Sequence, residues 1–490
     1  MEKNGSLGGR AGSTVVEHGG VRGRFEKGPS LLLLPGVYED CAEAMGTTGG
    51  ELGWEVKECP GATYGVGYGD GEWVEMGGTK GVPGEMERWV EVNDFMLRLG
   101  LPLFIEGDVG KLEWGRAGGD LLGLTKAVFR DGYNPFGVMD DVVKGMVGGG
   151  KKMRLASTFQ ALYVGLTPSK PGSILKTVSP ALFGLLSSME LLGSPADEGG
   201  RQIHGVHYVE GGFGRIVEGI VKLLEDREGV RIRLGAKVKK IEGCRGEEGV
   251  MVDGERFDAV VCNVEVAKAL EGLIKPSSLP GPSRTPILSS SVLQFHWILE
   301  GEDAGAKLRA HNVFLSDDEV GSWDAVRAGD RSAKKIVGGS NTPPHSMPPF
   351  NFYVHNPGCG DDTACVGGGT VLMALVPIAN GANVSKEEVA EWEGWVRERV
   401  ERRTGPIRII YSKCTTPEEW EENYGLPGGA VFGSSHGLLQ LGPTRQGCKV
   451  EGLKGGFFVG ASKRPGNGVP LVMIGAEKTA QSILDFLQID

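Results

Sequence analysis

The sequence predicts an α/β protein with more than one lobe, on three observations. The chain has 490 residues, more than one ordinary hydrophobic core serves. Near its end a strand-like run at 456–460 leads through a glycine-rich turn into a helix at 475–487. Before that, strand candidates gather between residues 289 and 377, after a mostly helical stretch from 85 to 192.

Taken in order, residues 1–10 are loop-like, 31–34 form a buried-looking leucine run, and 37–45 reads as a short helix. Residues 54–76 alternate in strand-like patches between glycine turns, whereas 85–101 and 153–164 have amphipathic helical spacing. Residues 208–213 form a turn. Residues 214–228 form a helix with Ile216, Ile220, Val221 and Leu224 on one face. Segments 230–234 and 237–241 read as strands, 249–257 as a hairpin around Asp253-Gly254, and 259–262 as a buried strand ending at Asn263. Further strands are predicted at 294–299, 351–355, 370–376 and 407–411, with a charged amphipathic helix at 386–403. The triplets Gly148-Gly149-Gly150 and Gly367-Gly368-Gly369 read as floppy surface loops.

Composition narrows the function classes. With 40% hydrophobic and 23% charged residues the chain suits a folded globular protein. Its net charge is -11 and no basic stripe appears, so nucleic acid is not an expected partner. The eight cysteines contain no CxxC pair and no zinc-like Cys/His spacing, so no metal site is expected. No signal peptide is read. The cysteines are expected to be inert thiols in a reducing, intracellular compartment. No apolar run reaches the ~20 residues that span a bilayer. The longest, around 174–192, holds Lys176, Ser179, Pro180, Gly184 and Glu190, which leaves a helical surface dipping into lipid as the open possibility.

The C-terminal block is the richest in chemistry. Gly456-Phe457-Phe458-Val459-Gly460-Ala461 is followed by Gly466-Asn467-Gly468-Val469-Pro470 and a helix. A helix N-terminus offers free N–H groups and a positive dipole end, and glycine lets a flat ligand approach the backbone. An ordinary strand–turn–helix is the alternative. Other blocks stand along the chain in a fixed order. They are Glu2-Lys3-Asn4 with Gly8-Gly9-Arg10, Gly28-Pro29-Ser30-Leu31-Leu32-Leu33-Leu34-Pro35, Arg154 with Thr158-Phe159-Gln160, and residues 208–214. His311-Asn312, Phe352-Tyr353-Val354-His355-Asn356-Pro357, Leu375-Val376-Pro377, Thr416-Pro417 and residues 459–470 follow.

Together these blocks resemble the phytoene desaturase (carotene desaturase) family of FAD-dependent oxidoreductases, bacterial and fungal type. The resemblance implies a two-dinucleotide-domain flavoprotein. A Rossmann-like FAD-binding lobe would comprise residues 1–50, 205–288 and 450–490, and a mixed β-sheet substrate domain residues 51–84 and 289–449. Residues 85–204 would form a helical, membrane-facing lid. FAD is the implied cofactor. Glu2 would end the second strand of the nucleotide unit and bind the adenosine ribose. A frayed terminal acid is the alternative for it. Gly8, Gly9 and Arg10 would run beside the pyrophosphate and ribityl chain, Val238 would lie near the adenine, and Gly460, Ala461, Gly468 and Val469 would bracket the flavin. The sequence departs from the pattern in one respect: no GxGxxG occurs. The lobe is therefore expected to be incomplete at its N-terminus, and the chain N-terminally truncated.

The implied reaction is desaturation of a C40 carotene such as phytoene in carotenoid biosynthesis. A hydride passes to the flavin and a proton leaves the neighbouring carbon. The implied partners are the apolar carotene, a membrane surface touched peripherally, and oxygen or a quinone as electron acceptor. Lys151, Lys152 and Lys170 are candidates for a basic rim on the lid. Arg154 matches the family's candidate catalytic residue. A surface arginine at a helix start is the alternative, since Lys151 and Lys152 stand where bacterial members carry acids. His311 and His355 are further candidates, with structural roles as the alternative. Two other readings stay open: a carotene isomerase or amine-oxidase-like flavoenzyme of the same superfamily, and a non-catalytic remnant that does not hold FAD. An amine oxidase would want an aromatic cage, whereas Lys463, Arg464 and Pro465 precede the glycines.

Overall fold

A computed structural model describes residues 1–106, 132–148, 150–169, 177–193, 202–227, 229–244, 249–274, 286–327 and 347–489. Its centre is a seven-stranded mixed sheet in the order Ile409–Thr415, Ser291–Glu300, Gly369–Ile378, Phe352–His355, His311–Phe314, Tyr64–Gly67, Trp73–Met76. Neighbours are antiparallel except His311–Phe314 with Tyr64–Gly67, which are parallel. The two longest strands are apolar on both faces because both faces are covered. Phe295, Trp297, Leu372 and Ala374 pack with Trp392, Val396 and Val400 of the helix Lys386–Thr404. On the other face Ile298 and Val371 meet Val21 and Phe25 of a hairpin, Ser13–His18 and Val21–Glu26. The Lys386–Thr404 helix starts at a capping box of Ser385 and Glu388, which satisfies its first N–H groups and fixes its boundary.

The α/β part surrounds a parallel pair, Val260–Cys262 with Gly456–Phe458. The small antiparallel sheet Ile241–Gly243, Val250–Val252 and Glu255–Phe257 packs on it through Ile241, Val250, Cys262 and Phe458. The helix Gly36–Ala44 packs on the C-terminal helix Val469–Leu487, beside Gly214–Glu225. Val469 and Met473 of the C-terminal helix join a cluster with Tyr38, Trp54, Phe213 and Ile216. Among the described residues between the strands Trp73–Met76 and His207–Val209, the α-helices are Glu87–Glu106, Met139–Met146, Gly150–Ala156 and Leu185–Leu191, the first packed on the last.

Several expectations are corrected. Residues 230–234 and 237–240 are not strands. They are held to residues 2–4 by only three backbone bonds, Glu2 N to Arg233 O, Ala236 N to Glu2 O and Gly235 N to Asn4 O, too few for a ladder. Gly367-Gly368-Gly369 is a tight turn rather than a floppy loop. Gly367 has φ +105, and a Cβ there would lie 2.3 Å from the Gly20 carbonyl oxygen. The last helix begins at Val469, six residues before the expected start, because Gly468 and Pro470 form its entry rather than a loop. Lys151 and Lys152 are engaged within the protein, Lys151 on the Asp317 carbonyl and Lys152 on Asp70 and Glu72, so neither forms a free basic rim. Lys170 and residues 174–176 lie outside the described residues. All eight cysteines are free thiols. Among the described residues no helix is long and apolar enough to cross a membrane, and no group of side chains could hold a metal ion.

Candidate active site

The end of the Gly456–Phe458 strand and the start of the Val469–Leu487 helix open onto a cavity of ≈ 1790 Å³. Glu2, Gly8, Gly9, Arg10, Val238, Gly460, Ala461, Gly468 and Val469 all line it. Glu2 is not frayed: its carboxylate accepts from Asn4 N at 2.8 Å, and its backbone is bonded to Arg233 and Ala236. At Gly9 and Gly468 a Cβ would meet nothing within 4 Å, so bare backbone is exposed there. No side chain caps the Val469–Leu487 helix and no acid occupies its first turn, which leaves its positive end available. An elongated ligand with an anionic middle and a flat ring fits these residues, as a flavin dinucleotide would require.

Buried charges hold this wall. Arg445 donates to the carbonyl oxygens of Ser434, Ser435, Gln440, Ala461 and Lys463. Lys463 Nζ donates to Gly475 O and Thr479 Oγ1, both at 2.7 Å, which pins the glycine turn to the helix that follows it. Burial lowers the Lys463 pKa. Glu265 accepts from Ser462, and burial raises its pKa while Arg10 and Arg445 oppose that shift. Arg10 as a residue is half-buried, but its guanidinium is enclosed and donates to the Val431 carbonyl. Burial lowers its pKa, and Glu265 opposes this.

The rest of the cavity is apolar. Leu33, Leu34, Met96, Leu97, Leu182, Phe183, Leu185, Leu186 and Met189 wall it. Ser30, Gln294, Tyr163, Tyr353, Glu190 and His436 are among its buried or half-buried polar groups. Arg154 is not brought to this wall. It lies on the Gly150–Ala156 helix and faces Glu319 at 3.8 Å. His311 and His355 stack at 5.3 Å across paired strands, and burial pushes both pKa values down. His311 reaches the cavity only through Tyr353, whose hydroxyl lies 2.5 Å from its Nδ1. Sequence reasoning missed Glu265, Arg445, Glu190 and His436. For Glu265 a signal existed: it stands just past the carboxyl end of the Val260–Cys262 strand, where α/β sheets bind ligands.

The chain is similar to known flavoproteins and desaturases. Residues 175–296 match the family model described as flavin containing amine oxidoreductase. A solved oxidoreductase from Methanosarcina mazei superposes with a TM-score of 0.56 at 15% identity, covering 98% of this chain and 93% of that one. The fold is shared with that solved oxidoreductase, and residues 175–296 with the flavin-containing family. Phytoene desaturase of Phycomyces blakesleeanus is 28% identical over 99% of this chain and 80% of its own length. The 4,4'-diapophytoene desaturase (4,4'-diaponeurosporene-forming) of Staphylococcus aureus is 23% identical over 99% and 93%. The chain is a homologue of the phytoene desaturases.

Proposed function

We propose that the protein binds FAD and desaturates a C40 carotene such as phytoene. One observation carries this reading: a cavity arm walled by glycine backbone and a helix N-terminus is continuous with an arm walled by Leu, Met and Phe side chains. Bound in the polar arm, the flavin supplies an acceptor for hydride. The chain's own part is binding, orientation and exclusion of water. In this reading Glu2 takes the ribose hydroxyls, Gly8, Gly9 and Arg10 the pyrophosphate and ribityl chain, and Val238 the adenine. Gly460, Ala461, Gly468 and Val469 take the flavin ring.

The apolar arm offers a hydrocarbon no ionic handle. Shape and desolvation then set its position, at about 0.8 kcal/mol per buried methylene. Arg154 keeps its Glu319 partner, and the polar role beside the substrate passes to groups on the cavity wall. Such a substrate lives in lipid, so this reading puts the helix-rich region against a membrane surface, with oxygen or a quinone reoxidising the flavin.

Purified protein supplied with FAD and phytoene in liposomes is expected to give products whose absorption shifts to longer wavelength. Diapophytoene in the same assay tests chain length. Flavin-loaded protein that converts neither hydrocarbon sinks the reading.

A further inference from the structure

Glu190 lies near the end of the Leu185–Leu191 helix, fully buried, on the cavity wall. Gln160 Nε2 donates to its Oε2 at 3.3 Å, whereas Oε1 makes no hydrogen bond. The Tyr64 hydroxyl approaches this carboxyl and stands 3.3 Å from the Tyr163 hydroxyl. Tyr163 also lines the cavity, and its carbonyl accepts from the Asn467 side chain at 3.4 Å. Asn467 belongs to the glycine turn that opens the last helix. The carboxyl is thus linked through Tyr64 and Tyr163 to the turn that opens the last helix.

Desaturation removes two hydrogens from adjacent carbons. One leaves as hydride with its bonding pair, for which a flavin held against the glycine-lined wall would be the acceptor. The other leaves as a proton, and its bonding pair becomes the new C=C bond. The wall must take that proton where water is scarce. Glu190, His436 and Glu265 are the acid–base candidates on the wall; Glu265 already accepts from Ser462 and faces Arg10 and Arg445, which favour its charged form. Protonating His436 would create a cation in a buried site beside Arg445, and both effects hold its pKa well below 6.5. Protonating Glu190 removes a buried anion, so burial favours the product; its pKa is raised to about 8.

We propose that the Glu190 carboxylate accepts the proton released from the carbon next to the site of hydride loss. This rests on the desaturase reading above. Gln160 holds one carboxylate oxygen, and the other, Oε1, is buried without a hydrogen-bond partner near the Tyr64 hydroxyl. Burial, with the Glu190 charge adding to it, raises the pKa of Tyr64, Tyr163 and Tyr353, so these hydroxyls stay protonated. On the helix packed against Leu185–Leu191, Asp94 is engaged by His204 at 2.6 Å and Arg98 at 2.9 Å.

The test is anaerobic single-turnover reduction of the flavin by phytoene in wild type, E190Q and E190D. E190Q is expected to bind flavin with an unchanged spectrum and to reduce it about 100-fold or more slowly. E190D should recover part of the rate. The wild-type rate should rise with pH and level off above about 8. Infrared difference spectra of the protein without flavin should show a protonated-carboxyl band that disappears over the same range and is missing in E190Q. A wild type that desaturates while E190Q matches its rate overturns this proposal alone. So does a flat pH profile, which keeps the test decisive should E190Q fail to fold. Flavin-loaded wild type that converts no carotene overturns the desaturase reading and this proposal with it.

Discussion

Arg445 Nη2 donates to the carbonyl oxygen of Ala461 at 2.7 Å, and the same guanidinium holds four other carbonyls at 3.1 to 3.3 Å. The Gly460-Ala461 corner is therefore fixed by one buried cation whose pKa falls only to about 10, so it stays charged at neutral pH. Arg445→Ala leaves those carbonyls without their donor, which should cost about 3 kcal/mol or more in urea unfolding. R445K keeps the charge but not the planar fork, and should fall between. Flavin affinity, followed by fluorescence quenching, should weaken in the same order.

Gly460 and Gly468 make a matched pair for separating steric from conformational demand. Both have positive φ, +108 and +102. A Cβ at Gly460 would sit 2.4 Å from Asn263 Oδ1, whereas one at Gly468 meets nothing within 4 Å. G468A should therefore carry only the backbone strain, about 1 kcal/mol, and G460A clearly more. N263G should restore part of the G460A loss and none of the G468A loss. Denaturant midpoints of the five proteins, wild type included, check this.

Glu26 gives the fold a pH dependence of known sign. Its carboxylate accepts from Ser13 at 2.8 Å and lies 3.6 Å from Arg24, but burial outweighs both and raises its pKa from 4.5 to about 7. A folded pKa above the unfolded one favours the protonated fold. The associated stability is fully present below about 4.5 and is lost as pH rises through about 7. The size is roughly 3 kcal/mol. Glu26→Gln should remove this dependence. Unfolding free energies at pH 5 and pH 8 should differ less in E26Q than in wild type by roughly that amount.

Much of this was legible in the sequence, and the misses have physical causes. The strands Ser291–Glu300, Phe352–His355 and Gly369–Ile378 stood out as apolar runs because both faces of the sheet are covered. Lys386–Thr404 stood out through its charged face. The Ser13–His18 and Val21–Glu26 hairpin was missed, although Gly19-Gly20 between two strand-like runs is a turn signal. Glu17 and Arg22, one exposed charge in each strand, were too few to mark its outer face. The nine residues tied to the cofactor by resemblance converge on one cavity. The groups that brace or furnish that cavity, Arg445, Glu190 and His436, come from separate segments. Their meeting depends on tertiary packing, which no local spacing encodes.

Trp392 supplies the contrast to Arg445. It is fully buried between the central sheet and its own helix, with ring centroids 5.1 Å from both Phe350 and Trp395. Its indole N–H has no hydrogen-bond partner. Trp392→Ala opens a cavity in the largest aromatic cluster of the sheet and should cost about 3 to 5 kcal/mol. W392F loses some volume but also removes the unsatisfied N–H, so its cost should be about half that or less. Because this cluster does not touch the cavity wall around Ala461, the folded fraction of W392A should bind flavin with wild-type affinity. R445A, by the same measurement, should lose both stability and affinity. Equal flavin weakening in W392A and R445A would show that Arg445 acts through global stability and not through the Gly460-Ala461 corner.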